Sequence, residues 1–124
     1  MQVISTSQAP AAVGPYSQAI LEKGFLFLSG QIPLVPETGL LVSENIHDQA
    51  EQVMKNISAV CLAADASIDK IVKCTIFLTD MNHFNTVNEV YKKYFYNHKP
   101  ARSTIQVAGL PRGALIEIEA IVSV

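Results

Sequence analysis

Between Asn45 and Ala64, the residues Ile46, Ala50, Val53, Ile57, Val60 and Ala64 recur at alternating four- and three-residue steps. That spacing puts them on one side of an α-helix. A helix with one apolar stripe gains most of its stability from what it packs against, so this segment demands a partner layer. Asn45 is positioned to cap the helix, and Asp48 in the first turn suits the helix dipole. The partner layer follows directly. Val72, Cys74, Ile76 and Leu78 alternate with Lys73, Thr75, Phe77 and Thr79, the period of a strand with one strongly apolar face.

The remaining elements extend the same layer. Gln2 to Ser5 can form a short first strand, and the Pro- and Gly-bearing stretch Ala9 to Pro15 reads as a loop. Tyr16–Leu21 and Phe25–Ser29 flank Glu22-Lys23-Gly24, the pattern of a hairpin. Pro36 to Gly39 reads as a turn. Asp80 to Phe95 predicts a second helix, with Phe84, Val87, Tyr91 and Tyr94 or Phe95 as its stripe and Asp80 or Asn82 as its cap. Two strands, Ser103–Val107 and Leu115–Val124, close the chain. We therefore expect one domain over residues 1–124, a two-layer α+β fold in which two helices cover one face of a sheet. The other face would keep Phe77, Ile105 and Ile121. Charged residues make up only 16% of the chain, and that shortage, with an apolar uncovered face, points toward subunit contacts.

The same numbers exclude several roles. A formal net charge of −2 and no run of Lys or Arg argue against nucleic-acid binding. Cys61 and Cys74 have no CxxC spacing and read as buried core residues in a reduced, cytoplasmic setting. No basic and apolar leader precedes Pro10, and no apolar stretch is long enough for a membrane span. His47, His83 and His98 are scattered, so no metal site is expected. No GxSxG, phosphate-loop or dinucleotide glycine pattern occurs.

The chemically suggestive residues lie in the last third. Arg102 opens the first of the two final strands. If those strands pair as a hairpin centred near Leu110 and Pro111, Thr104 faces Glu117 and Arg102 faces Glu119. The two-residue period then puts Arg102, Glu117 and Glu119 on one sheet face. That arrangement fits either a cross-strand salt bridge on a solvated face or a site gripping a small anion. Ser29-Gly30 at a strand end can offer backbone amides or form a plain turn. Tyr16 can present its phenol to a pocket or pack as a core residue.

The blocks Ala9-Pro-Ala-Ala-Val-Gly-Pro-Tyr16-Ser-Gln-Ala, Ser29-Gly30-Gln-Ile-Pro33, Val87-Asn88-Glu-Val-Tyr91, Lys99-Pro-Ala-Arg102-Ser-Thr-Ile and Ile116-Glu117-Ile-Glu-Ala120 occur in order. Together they resemble the RidA (YjgF) family of reactive-intermediate deaminases, from about Ala9 to the C-terminus. The resemblance implies a chorismate-mutase-like fold with a mixed sheet of about six strands. It also implies a homotrimer with clefts between subunits, and no metal or organic cofactor. The implied reaction is hydrolysis of 2-aminoacrylate, 2-aminocrotonate and related 2-imino acids to 2-keto acids and ammonia, a 2-iminobutanoate/2-iminopropanoate deaminase activity. Carried over by position, Arg102 grips the substrate carboxylate and Glu117 holds or activates water. Ser29, Gly30, Tyr16 and Thr104 contact substrate, and Asn88 comes from the neighbouring subunit.

An imine carbon is already electrophilic, so water needs mainly a position and a base. A guanidinium near Glu117 would lower its pKa and make it a weak base. Many relatives carry cysteine where this chain has Thr104, so no thiol chemistry is expected there. Two other readings remain open from the sequence. One is a non-catalytic module that binds small carboxylates and reports them to a regulator. The other is an endoribonuclease or translation inhibitor, which the charge balance disfavours.

Overall fold

The structure, a computed structural model, describes all residues from Met1 to Val124. Its strands are β1 (Gln2–Ile4), β2 (Ala19–Glu22), β3 (Phe25–Gln31), β4 (Ile71–Leu78), β5 (Ala101–Gln106) and β6 (Ile116–Ser123). Its helices are α1 (Ile46–Ala63) and α2 (Phe84–Tyr91). The strands form one six-stranded sheet in the order β1-β2-β3-β6-β4-β5. Only β4 and β5 run parallel, so the sheet is mixed.

The helix forms where its periodicity predicts. The Asn45 side chain accepts from the Asp48 backbone N–H at 3.1 Å, satisfying one of the donors every helix start leaves open. Ala50, Val53, Ile57 and Val60 are buried along the expected stripe, joined by Met54 and Cys61. The second helix starts later than Asp80. A short 3-10 turn over Met81–His83 comes first, with the Asp80 carboxylate accepting from the Asn82 N–H at 2.9 Å. The β2–β3 hairpin closes through Lys23 and Gly24, both at positive φ (49° and 81°). Paired positive φ values match the twist of a two-residue hairpin.

The alternation in β4 holds except at its start. Ile71 is fully buried and Val72 is 42% exposed, because the pairing with β6 shifts by one residue between Ile71 and Lys73. A bulge there turns Val72 outward.

The closing hairpin does not form. β4 lies between β5 and β6, pairing with both. The chain leaves β4, passes through α2 and returns as β5, and such a crossover joins parallel neighbours. β6 buries Ile116, Ile118, Ala120 and Val122 and sits in the middle of the sheet between β3 and β4. Polar β5 takes the edge, where one row of backbone groups stays unpaired.

Both helices lie against one face. The other face carries Phe25 (43% exposed), Phe27 (44%) and Ile105 (45%), and no element of the chain covers it. Four buried polar side chains stand apart from the apolar core: Gln18, Gln31, Gln49 and Asn56. Three of them fasten loops. Gln18 Nε2 donates to Thr6 O and Pro10 O, and its Oε1 accepts from Thr6 N. Gln49 joins Ser43 O to Leu115 N, and Asn56 donates to Ile32 O and Leu34 O. Buried amides partnered in this way offset the cost of leaving water.

Candidate active site

β3 contributes a bulge. Leu28 pairs with Ala120, but the next paired residue, Gln31, meets Ile118. One extra residue is therefore accommodated at Ser29-Gly30. Gly30 has no positive φ; its need for glycine is spatial. A Cβ there would collide with the Glu117 carboxyl group, reaching 2.7 Å from its Cδ. The missing side chain is what lets that carboxylate lie over the backbone. Ser29 is held on both sides: its N–H donates to Gln18 O at 3.0 Å and its Oγ to Ser17 O at 2.6 Å. This ties the strand to the segment that carries Tyr16. Tyr16 is 54% exposed, so it is not the packed core tyrosine its composition allows. With Gly30, Gln31 and Arg112 it lines a cleft of about 250 Å³. Arg112, at φ 61° and donating to Gly39 O at 3.0 Å, was not singled out from sequence. It lies in the loop that reads only as a turn.

Arg102 sits elsewhere. It is in register with Cys74, and through Cys74 with Ala120. Both of those are buried beneath the helices. Glu117 is in register with Phe77 and, beyond it, Ile105, on the uncovered face. Laterally paired residues share a face, so Arg102 and Glu117 point to opposite sides of the sheet. This overturns the one-face arrangement of Arg102, Glu117 and Glu119. The two levels are three residues apart, about 10 Å along the strands, and two strands apart, about another 9–10 Å. One small imino acid cannot touch both within one chain.

Nor does Arg102 form a salt bridge; the ion pairs of the chain lie elsewhere. Its guanidinium instead lies 4.9 Å from the Tyr91 ring centroid and 5.6 Å from that of Phe84. Aromatic faces hold an arginine by cation–π attraction without spending its charge on a carboxylate. Sequence periodicity gave Tyr91 and Phe84 only as helix-stripe residues, so their second role went unread. Asn88, Tyr91, Lys99 and Arg102 line a cavity of about 320 Å³. Thr104 follows Arg102 on the same face, in register with buried Ile76. Its Oγ1 and the Tyr91 hydroxyl are buried without hydrogen-bond partners.

Electrostatics follow from this division. Burial, and then the Glu119 charge, push the Glu117 carboxyl above the usual carboxylate range. The expected lowering by Arg102 does not occur, since the whole sheet separates the two groups. Burial likewise raises the Cys74 thiol, only partly opposed by Tyr91 and Arg102, and drives Cys61 up to about 12. Both cysteines are inert core residues.

The positions marked from sequence thus gather into two groups. Tyr16, Ser29, Gly30 and Glu117 form one, and Asn88, Arg102 and Thr104 the other. The first offers a carboxylate of raised basicity beside bare backbone. The second offers an uncompensated guanidinium in an aromatic cradle.

Known proteins share this chain almost end to end. The family model described as Endoribonuclease L-PSP matches residues 6–124. The chain is 55% identical to Reactive Intermediate Deaminase A, chloroplastic, of Arabidopsis thaliana over 97% of its length, and spans 64% of that longer protein. It is 49% identical to a 2-iminobutanoate/2-iminopropanoate deaminase of Homo sapiens, covering 97% of this chain and 88% of that one. Among solved structures, that of E. coli TdcF with bound serine superposes with a TM-score of 0.95 at 43% identity, covering 100% of this chain and 99% of the other. The mixed six-stranded sheet under two helices and this likeness along the whole chain agree: the protein belongs to the RidA (YjgF) family of reactive-intermediate deaminases.

Proposed function

We propose that the protein hydrolyses 2-imino acids, and the enamines that tautomerise to them, to 2-keto acids and ammonia. The sites would form between copies of the chain. The observation that carries the reading is the division itself: an unpaired Arg102 and a raised-pKa Glu117, both useful to this reaction, lie out of each other's reach in one chain. A homotrimer whose subunits meet through the uncovered sheet face would bring one copy's Arg102 group against the next copy's Glu117 group, and an oligomer of this kind accounts for the exposed Phe25, Phe27 and Ile105.

The chemistry follows from the residues. Arg102 takes the substrate carboxylate in a two-point grip, its orientation fixed by Tyr91 and Phe84. Glu117 accepts a proton from water as the oxygen attacks the imine carbon. The resulting carbinolamine takes that proton on nitrogen, the C–N bond breaks, and ammonia leaves as the C=O forms. An enamine such as 2-aminoacrylate first gains a proton at its terminal carbon. Gly30 gives Glu117 and the water room beside the backbone. Ser29 fixes that backbone, Tyr16 closes the cleft, and Asn88 and the free Thr104 hydroxyl supply further hydrogen bonds. The chemistry itself requires no cofactor, because the imine supplies its own electrophile.

No helix is long and apolar enough to cross a membrane, and a cytoplasmic setting fits two reduced, buried cysteines. The test is keto-acid release from an imine generated in situ by an amino-acid oxidase or a dehydratase. Acceleration over the uncatalysed rate is expected. Tight binding of 2-oxobutyrate without acceleration would turn the reading to a carboxylate sensor. RNA cleavage abolished by a site substitution would turn it to a nuclease.

A further inference from the structure

The Arg102 cavity carries more positive charge than a monocarboxylic substrate can balance. Lys92, Lys99 and Arg102 line it, with Asn88, Tyr91 and Pro100, and no carboxylate does. Lys92 is accounted for by its ion pair with Glu89 at 2.9 Å. Lys99 is not. It is an exposed residue of the lining, its Nζ donates to the uncharged Phe95 O at 2.9 Å, and it belongs to none of the chain's ion pairs. Two like charges sharing one small cavity repel each other, and a single carboxylate on Arg102 leaves Lys99 unanswered. An ammonium is a compact point charge on a flexible stem, suited to meeting an anion whose position varies.

We propose that Lys99 makes this cavity a two-anion subsite. The favoured substrates are then 2-imino dicarboxylic acids, with the carboxylate beside the imine on Arg102 and the distal carboxylate on Lys99. The proposal rests on the deaminase reading for the word substrate, but the subsite can be tested by binding alone. Calorimetry with 2-oxoglutarate and 2-oxobutyrate compares a dianion with a monoanion at the same site. The wild-type protein is expected to bind 2-oxoglutarate about tenfold more tightly. Lys99→Met should remove that preference by weakening 2-oxoglutarate far more than 2-oxobutyrate, and an unchanged urea unfolding midpoint reports an intact fold. Lys99→Arg should keep most of the preference. Equal wild-type affinities, or a preference that survives Lys99→Met, would overturn the proposal. Keto-acid release separates it from the parent reading. A dianion preference without turnover removes the deaminase and keeps the subsite; turnover without the preference does the reverse.

Discussion

The strands β5 and β6 each bring one of the two charged residues that point to chemistry, Arg102 and Glu117, yet the fold uses them in opposite ways. β6 is central, buries every second residue and offers Glu117 to the uncovered face. β5 is an edge strand of mostly polar residues and turns Arg102 toward the helices. The difference teaches that a strand's place in the sheet, more than its own alternation, decides which surface a functional side chain serves.

The sharpest way to break this comparison is complementation. Arg102→Ala and Glu117→Gln proteins should each lose about 100-fold or more in kcat/KM, since each removes a charge used in the reaction. Mixed and allowed to exchange subunits, they should recover about a quarter of wild-type activity if neighbouring copies complete each site and assembly is random. No recovery in a verified mixed oligomer would place both residues' work within one chain. Gly30→Ala comes next. The new Cβ must displace the Glu117 carboxylate, and a shift of this kind should cost about 10- to 100-fold in kcat with a smaller change in KM. Unchanged kcat would show that the carboxylate's seat over Gly30 is incidental.

The pH profile sharpens the β6 side. Glu117 acts as a base when ionised, and its raised pKa means the active form appears only as pH climbs through that raised value. Glu119→Gln removes the neighbouring negative charge, so the acidic limb of kcat/KM should move to lower pH while burial keeps it above that of a free carboxylate. An unmoved limb would assign it to another group. The smallest effect belongs to β5. Thr104→Val removes a buried hydroxyl without a partner. It should stabilise the protein by up to about 1 kcal/mol in denaturant unfolding while lowering kcat/KM only about fivefold through the lost hydrogen bond to substrate. A larger loss would raise Thr104 to a principal substrate contact.

Much of the fold was legible because it is local. The cap at Asn45, the stripe of α1, the Lys23-Gly24 turn and the apolar face of β4 are written within a few residues of one another. What could not be read was long-range. The β5–β6 hairpin failed because spacing along the chain says nothing about a third strand entering between two others. Val72 failed because a bulge is set by the partner strand's register. The residues Tyr16, Ser29, Gly30, Asn88, Arg102, Thr104 and Glu117 could be marked from their ordered blocks. Their grouping, and the aromatic cradle of Arg102, could not, since both depend on which strands become neighbours.

The extra residue at Ser29-Gly30 has one more consequence. Before it, Leu26 and Leu28 enter the core; after it, Gln31 does, so the bulge resets which residues of β3 face inward. Without the extra residue, Leu28 and Gln31 would stand two positions apart, the regular alternation of a strand, and both would still face inward. Removing one residue would therefore keep the buried side of β3 and erase only the bulge that seats the Glu117 carboxylate over the Gly30 backbone. A deletion here should spare the fold and damage the site.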